Sequence, residues 1–93
     1  MMSYIDLLEE IEDDLDVCLE LIDVLLPKAG NKKTQKRVLK AVEEQLRIVE
    51  GKLNRTKAIK FSRFEQFSIG FIYYEVSKIR KVYKEIMEEM NDD

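Results

Sequence analysis

The sequence predicts an all-α protein: an antiparallel three-helix bundle, or a long helical hairpin with a third helix, with coiled-coil-like packing. Apolar residues recur at spacings of three and four along three segments, which is the period of a helix that buries one face. One Pro and three Gly in 93 residues leave those segments nearly free of helix breakers. No segment alternates apolar and polar residues as a half-buried strand does. Because this length is typical of one domain, we expect residues 1–93 to form a single helical domain.

The first helix is expected over about residues 4–26. Its apolar stripe consists of Leu8, Ile11, Leu15, Cys18, Ile22 and Leu25. Val17 and Val24 lie nearly opposite this stripe, so the second half of the helix is expected to be buried on several sides. Ser3 is the expected N-cap. Pro27 is expected to stop the helix at residue 25 or 26, since proline lacks an amide hydrogen and clashes with the preceding turn.

The second helix is expected over about residues 32–55. Asn31 or Thr34 is the expected N-cap, and Gly51 and Asn54 weaken the far end because both are poor helix formers. The stripe of this helix consists of Leu39, Val42, Leu46, Val49 and Leu53. One side is therefore predicted to lie in the core, and the other side carries many bases.

The third helix is expected over about residues 63–90 and has the clearest start. Ser62 and Glu65 match the capping-box pattern, in which each side chain accepts a hydrogen bond from the backbone amide of the other residue. The main stripe consists of Ile69, Ile72, Val76, Ile79, Tyr83, Ile86 and Met90. We expect it to pack against the other helices.

A second apolar stripe on the third helix is the candidate protein interface. At the angular step of an α-helix it lies about 130° from the isoleucine stripe, and it consists of Phe64, Phe67, Phe71 and Tyr74. Two interpretations remain open. The stripe is either core, because the third helix contacts both others, or a contact surface for another protein or a second copy of the chain. Large exposed apolar patches usually mark such contact surfaces.

Charge divides the chain, although its net charge is only −3. Residues 1–26 carry nine carboxylates and no base, whereas residues 27–60 carry eleven bases and three acids. Clustered bases on one helical face are the footprint of a phosphate-backbone binder, and the candidate phosphate-binding residues are Lys32, Lys33, Lys36, Arg37 and Lys40. Two alternatives stay open for the eleven bases of residues 27–60: they pair with the acidic first helix or with another subunit, or they form an ordinary solvated surface.

The composition argues against an enzyme. The chain has no histidine, so the commonest general base, the imidazole metal ligand and the Ser-His and Cys-His pairs are absent. Cys18 falls on the core stripe, with no cationic residue within a turn to activate it. The acidic runs at 9–13 and 20–23 resemble the E-E-x-x-D and E-x-x-D elements of all-α nucleotide pyrophosphatases, but both lie on one helix, whereas such a cage needs acids from facing helices. We predict no catalytic residue, no metal site and no cofactor.

Membrane insertion is not expected, because no stretch of 18 residues lacks charged side chains. A lone cysteine cannot form an intramolecular disulfide, which favours a reducing, cytoplasmic setting. The leading hypothesis is a small non-catalytic accessory or adaptor protein that acts through protein–protein contacts or self-association, as a homo-oligomer or as a subunit of a larger complex. The alternative is a nucleic-acid-associated accessory factor whose basic second helix contacts the phosphate backbone.

Overall fold

The computed structural model describes residues 4–57 and 59–91, and every regular element within them is a helix. Helix α1 covers residues 4–28 in three parts: an α-helix Tyr4–Glu20, a π-helical turn Leu21–Leu25 and a last α-helical turn Leu26–Lys28. Helix α2 covers Lys32–Thr56, and helix α3 covers Arg63–Asn91. The helices pack against one another, so the predicted all-α bundle is confirmed.

The three helices run up, down and up. Lys52, near the end of α2, contacts Asp14 in the first half of α1, so α1 and α2 are antiparallel. The Tyr83 hydroxyl, near the end of α3, donates a hydrogen bond to the Glu43 carboxylate in the first half of α2 (3.1 Å), so α2 and α3 are antiparallel as well. Helices α1 and α3 are therefore parallel. Helix α2 lies between them and contacts each more extensively than they contact each other.

Two of the expected helix starts are confirmed. The Asn31 side chain accepts a hydrogen bond from the Thr34 amide (2.8 Å), which makes Asn31 the N-cap of α2. At the start of α3, the Ser62 amide donates to the Glu65 carboxylate (2.9 Å), and the Glu65 amide donates to the Ser62 hydroxyl oxygen (3.3 Å). The expected N-cap of α1, Ser3, lies outside the described residues.

Pro27 does not stop α1 at residue 25 or 26, so that expectation was wrong. The chain remains helical to Lys28, and the backbone becomes extended at Ala29, with φ −69° and ψ 115°. In the π-helical turn before the proline, the Leu26 amide donates to the carbonyl five residues back. A π-turn is wider than an α-turn. The pyrrolidine ring and its missing amide hydrogen are therefore accommodated without ending the helix.

The core contains the predicted stripes of α2 and α3. Side chains from all three helices are buried: Leu7, Ile11, Leu15 and Cys18; Leu39, Val42, Leu46, Val49 and Leu53; and Ile69, Ile72, Val76, Ile79 and Tyr83. Farther along α3, Ile86 and Met90 are partly buried against this cluster. The stripes that the periodicity of three and four predicts for α2, and the isoleucine stripe of α3, therefore lie on the covered sides of these helices.

The second half of α1 departs from the expected burial. Leu25, expected on the core stripe, is 46% exposed, and Leu26 packs against the core in its place. The π-turn contains one extra residue, which moves the core-facing position along by one. Val17 and Val24 are about 40% exposed, so the expected burial of this segment on several sides was also wrong. Within residues 4–57 and 59–91, no other helix covers that side of α1.

The bundle is elongated, with principal extents of 47 × 22 × 17 Å. Its accessible surface is 6819 Å². A compact monomer of 11.0 kDa is expected to expose about 5600 Å². The chain therefore exposes more surface than a compact protein of its mass.

Candidate protein interface

The aromatic stripe of α3, Phe64, Phe67, Phe71 and Tyr74, lies on the surface of the bundle. These side chains are 81%, 78%, 58% and 63% exposed, in that order. The isoleucine stripe on the other side of the same helix is at most 9% exposed between residues 69 and 83. Of the two interpretations that the sequence left open, membership of the aromatic stripe in this chain's own core is therefore wrong.

The capping box holds the start of α3, and the aromatic stripe begins in the same turn. The Ser62 backbone amide donates to the Glu65 carboxylate, and this bond, with a further contribution from the Ser62 side chain, lowers the pKa of the Glu65 carboxyl below its ordinary value because it favours the charged form. A carboxylate in the first turn is also favoured by the helix dipole. These interactions keep Phe64 and Phe67 in helical register.

A groove runs beside the stripe, between α1 and α3. One part, of about 380 Å³, lies against Phe67 and Phe71. The other part, of about 430 Å³, lies against Phe71 and Tyr74. Both parts are lined by Phe71 and Glu75, so they adjoin at these residues, and the two parts together are called the groove. The apolar side chains that line it are Leu19, Ile22, Phe67, Phe71, Ile72, Tyr74, Ile79 and Val82.

The charged lining of this groove is mostly acidic. One ammonium group, that of Lys78, lines it. The four carboxylates that line it are those of Glu12, Asp16, Asp23 and Glu75. Within residues 4–57 and 59–91, none of these four carboxylates forms an ion pair. The groove therefore combines an apolar floor with an excess of carboxylates over ammonium groups, and none of these carboxylates is ion-paired to a described residue.

The α1 side of the groove was missed by the sequence reasoning. Leu19 is 40% exposed, and Ile22, which the helical period places in the core, is only half-buried. The segment from residue 17 to 26 contains a signal for the α1 side of the groove, because its apolar residues occupy most of the circumference of the helix. This segment predicts burial on several sides, but periodicity alone does not say how many neighbours a helix has.

The candidate phosphate-binding residues lie in the first turns of α2. All five are exposed: Lys32, Lys33, Lys36, Arg37 and Lys40. Because α1 and α2 are antiparallel, these bases lie beside the apolar end of α1 and away from its carboxylates at positions 6–16. The last four form no ion pair with a described residue. Intramolecular pairing with the acidic helix therefore does not account for them.

Lys52 is the base that joins α2 to the acidic helix. Its Nζ lies 2.6 Å from Glu10 Oε1 and 2.5 Å from Asp14 Oδ2. Burial on its own would lower the pKa of Lys52, but hydrogen bonds to Asp14 and Glu10, together with their charges, outweigh that effect and raise it. The pairing interpretation is therefore right for Lys52, which lies in the second half of α2.

The Cys18 thiol is buried, and its pKa is raised. It is 0% exposed, and burial, with a smaller contribution from the charge of Asp14, raises its pKa to about 11.

Among the described residues, no group of three His, Cys, Asp or Glu side chains is arranged to hold a metal ion. In the same part of the chain, no helix is both long and apolar enough to span a bilayer.

Comparison with known proteins gives no match to a family model, a curated protein or a solved structure.

Proposed function

We propose that this chain is a small, non-catalytic cytoplasmic accessory or adaptor protein that acts through protein–protein contacts, with the aromatic stripe of α3 as its contact surface. The observation that carries the proposal is the line of four large aromatic side chains, each 58–81% exposed, on one helix. Exposed apolar patches mark interaction sites in soluble proteins. Phe and Tyr are also enriched in the cores of protein interfaces.

The surface area of the chain supports an association role. The accessible surface of 6819 Å² exceeds the value for a compact monomer of this mass by about 1200 Å². A standard protein–protein interface removes about 800 Å² from each partner. The surplus is therefore large enough for one interface of ordinary size.

The support behind the stripe also favours recognition. Helix α3 is held by its opposite side, where Ile72 and Ile79 are at most 5% exposed. A partner that binds the stripe does not need to order the backbone, which lowers the entropic cost of association. Each aromatic side chain has only two rotatable angles, so fixing it costs little as well.

Site-specific photo-crosslinking tests the proposal. The photoreactive residue p-benzoylphenylalanine replaces Phe67, or replaces Lys84 as a control, in cells that produce the full chain. Lys84 is exposed on a different face of the same helix. We expect a discrete product of higher mass from position 67 and none from position 84, with mass spectrometry identifying a second copy or another protein. Equal crosslinking from both positions, or none from position 67, would contradict the proposal.

A second candidate function, binding to the nucleic-acid backbone, is favoured by a separate observation. Lys33, Lys36, Arg37 and Lys40 are exposed and without an ion pair among the described residues. Their charges are therefore available to phosphates.

Fluorescence anisotropy with short single- and double-stranded DNA and RNA tests this candidate. The logarithm of the binding constant should fall with the logarithm of the salt concentration by about 0.7–0.9 for each phosphate contacted. Charge reversal of Lys33, Lys36 and Lys40 should abolish binding. A matched reversal at three exposed positions elsewhere (57, 81 and 84) should weaken it much less. Absence of binding at low salt would exclude this function.

A further inference from the structure

We propose that the groove between α1 and α3 binds an amphipathic helix of another protein, whose apolar side is flanked by Lys and Arg. This inference rests on the proposed function and specifies the class of partner. It follows from two features of one surface: an apolar floor that includes three of the four stripe residues, and carboxylates that form no ion pair with the described chain.

The shape of the groove favours a helix as its occupant. The groove extends over residues 12–23 of α1 and 67–82 of α3, which is about 16 Å and 22 Å at 1.5 Å per residue. Its walls are two parallel helices, so a helix of about four turns fits lengthwise between them. A helix in this position would turn three helices into a four-helix arrangement. Docking of an amphipathic helix into an apolar groove is a recurrent recognition mode.

The floor of the groove provides sites for apolar anchors. Phe71 lies at its middle and is 58% exposed, with Phe67 and Tyr74 one turn away on either side. Leu19 on the facing helix is 40% exposed. A partner helix with apolar side chains at i, i+3 or i+4, and i+7 would cover these residues along a single stripe.

The charged side chains that line the groove indicate which residues flank the apolar stripe of the partner helix. Four carboxylates against one ammonium group favour a cationic partner, because complementary potentials speed encounter and exclude partners of the wrong charge. Glu12 and Glu75 line the same part of the groove as Phe67 and Phe71. An arginine can stack its guanidinium on a ring while it hydrogen-bonds to a carboxylate. We therefore expect Arg as well as Lys beside the apolar stripe of the partner.

A second copy of the chain fits the groove poorly. A two-fold axis brings the same patch of both copies together, so the four carboxylates of one copy would face the four of the other. The chain's own cluster of exposed bases lies in the first turns of α2, which contributes no residue to the groove. Its insertion into the groove of a neighbour would be a head-to-tail contact that forms open-ended assemblies. The charge pattern therefore indicates a different protein.

Three fluorescein-labelled synthetic helical peptides of about 18 residues test the proposal with the full-length chain in anisotropy titrations. The first has Leu at i, i+4, i+7 and i+11, flanked by Arg. The second replaces every Arg by Glu. The third has the composition of the first in an order that breaks the apolar stripe. We expect the first peptide to bind at least tenfold more tightly than either of the others.

Matched variants locate the binding. Phe67→Ala and the charge-reversal pair Glu12→Lys/Glu75→Lys should each weaken binding of the Arg peptide at least tenfold. Ile48→Ala, on α2, is the apolar control, and Glu9→Lys/Glu89→Lys is the charge control. All three control positions are exposed and outside the groove, so the controls should change affinity less than threefold. Circular dichroism confirms that each variant is folded.

Two results would overturn the inference. The first is equal or weaker binding of the Arg peptide relative to the Glu peptide or the reordered peptide. The second is self-association of the chain alone in sedimentation equilibrium that Phe67→Ala abolishes, because it would make the occupant a second copy. In either case a crosslink from position 67 but not from position 84 would leave the proposed function standing. Loss of that crosslink as well would remove both.

Discussion

Helix α3 has two apolar sides, and the other described residues of the chain cover only one of them. The covered side contacts α1 and α2, and its residues between 69 and 83 are at most 9% exposed. The open side carries Phe64, Phe67, Phe71 and Tyr74, which are at least 58% exposed. The two sides also differ in composition: mainly Ile and Val on the covered side and only Phe and Tyr on the open side.

This difference separates the residues that fold the chain from those available for recognition. Branched aliphatic side chains fill the interior between closely packed helices. Large rings on the open side contribute little to folding, because they remain in water before and after it. They are suited to a partner that can cover them. We therefore expect substitutions on the two sides of α3 to have separable effects on stability and on association.

The largest expected effect is a difference in stability between the two sides. Ile72→Ala should lower the free energy of unfolding by about 2–5 kcal/mol, because it leaves a cavity at a side chain that is 3% exposed. Phe67→Ala should change it by no more than about 0.5 kcal/mol, since that ring is 78% exposed. Urea unfolding followed by circular dichroism measures both. A loss for Phe67→Ala equal to that for Ile72→Ala would mean that the open side is part of the core.

A second test concerns the covered side of α1. Because the Cys18 pKa is about 11 instead of 9.0, the native thiol should react with Ellman's reagent at about pH 8 roughly 100-fold more slowly than the thiol of the urea-unfolded chain. Exclusion of the reagent by packing should slow the native reaction further. Similar rates in the folded and unfolded chain would show that this part of α1 is not packed as described.

A third test compares a paired base with an unpaired one. Lys52→Met should cost about 1–2 kcal/mol, because it leaves Glu10 and Asp14 without their partner. Lys36→Met, at an exposed position without an ion pair among the described residues, should cost almost nothing. Urea unfolding at neutral pH measures both values. Equal effects of the two substitutions would contradict the pairing.

The Lys52 contribution has a definite pH dependence. The pKa of Lys52 is higher in the folded chain than the ordinary value of 10.5. The folded state therefore holds this proton more tightly than the unfolded state. The stabilisation is complete below the unfolded pKa and is lost as the pH rises through the higher folded value. The difference between wild type and Lys52→Met should accordingly be constant near neutral pH and shrink above about pH 10.5.

The smallest expected effect is at the start of α3. Ser62→Ala removes the hydroxyl that accepts from the Glu65 amide and should cost about 0.5–1 kcal/mol. The first turn, which carries Phe64, should fray, so hydrogen exchange at amides 65–67 should accelerate while amides near residue 79 are unaffected. Unchanged exchange at 65–67 would mean that the capping box does not hold the open side in place.

The features that the sequence predicted correctly are those determined by neighbours within a few positions. The Asn31 cap and the Ser62–Glu65 capping box involve residues three apart. The stripes of α2 and α3 follow from helical period. The π-turn before Pro27 depends on two opposing effects: the clash of the proline ring with the preceding turn, and the packing of the end of α1 against the core. No local pattern indicates the π-turn, and the helical period therefore predicts for Leu25 the core position that Leu26 occupies.

The features that the sequence did not determine depend on how the three helices are arranged. Both stripes of α3 satisfy the helical period, and the one that is covered depends on where α1 and α2 lie. The antiparallel register of α1 and α2 determines that Lys52 pairs with α1. The same register separates Lys33 and Lys40 from the acidic residues of α1. The groove also depends on the arrangement of the helices. Glu12 and Phe67 are 55 residues apart in the sequence, and they line one surface only after folding.

The most direct test of the division between the two sides is a titration of the ¹⁵N-labelled chain with the Arg peptide, followed by amide chemical shifts. We predict shift changes concentrated at residues 12–23 and 67–82, with little change at residues 33–40 and at the buried positions of α2. Changes centred on residues 33–40, or spread evenly over the bundle, would contradict the assignment of the open side of α3 and its groove as the contact surface.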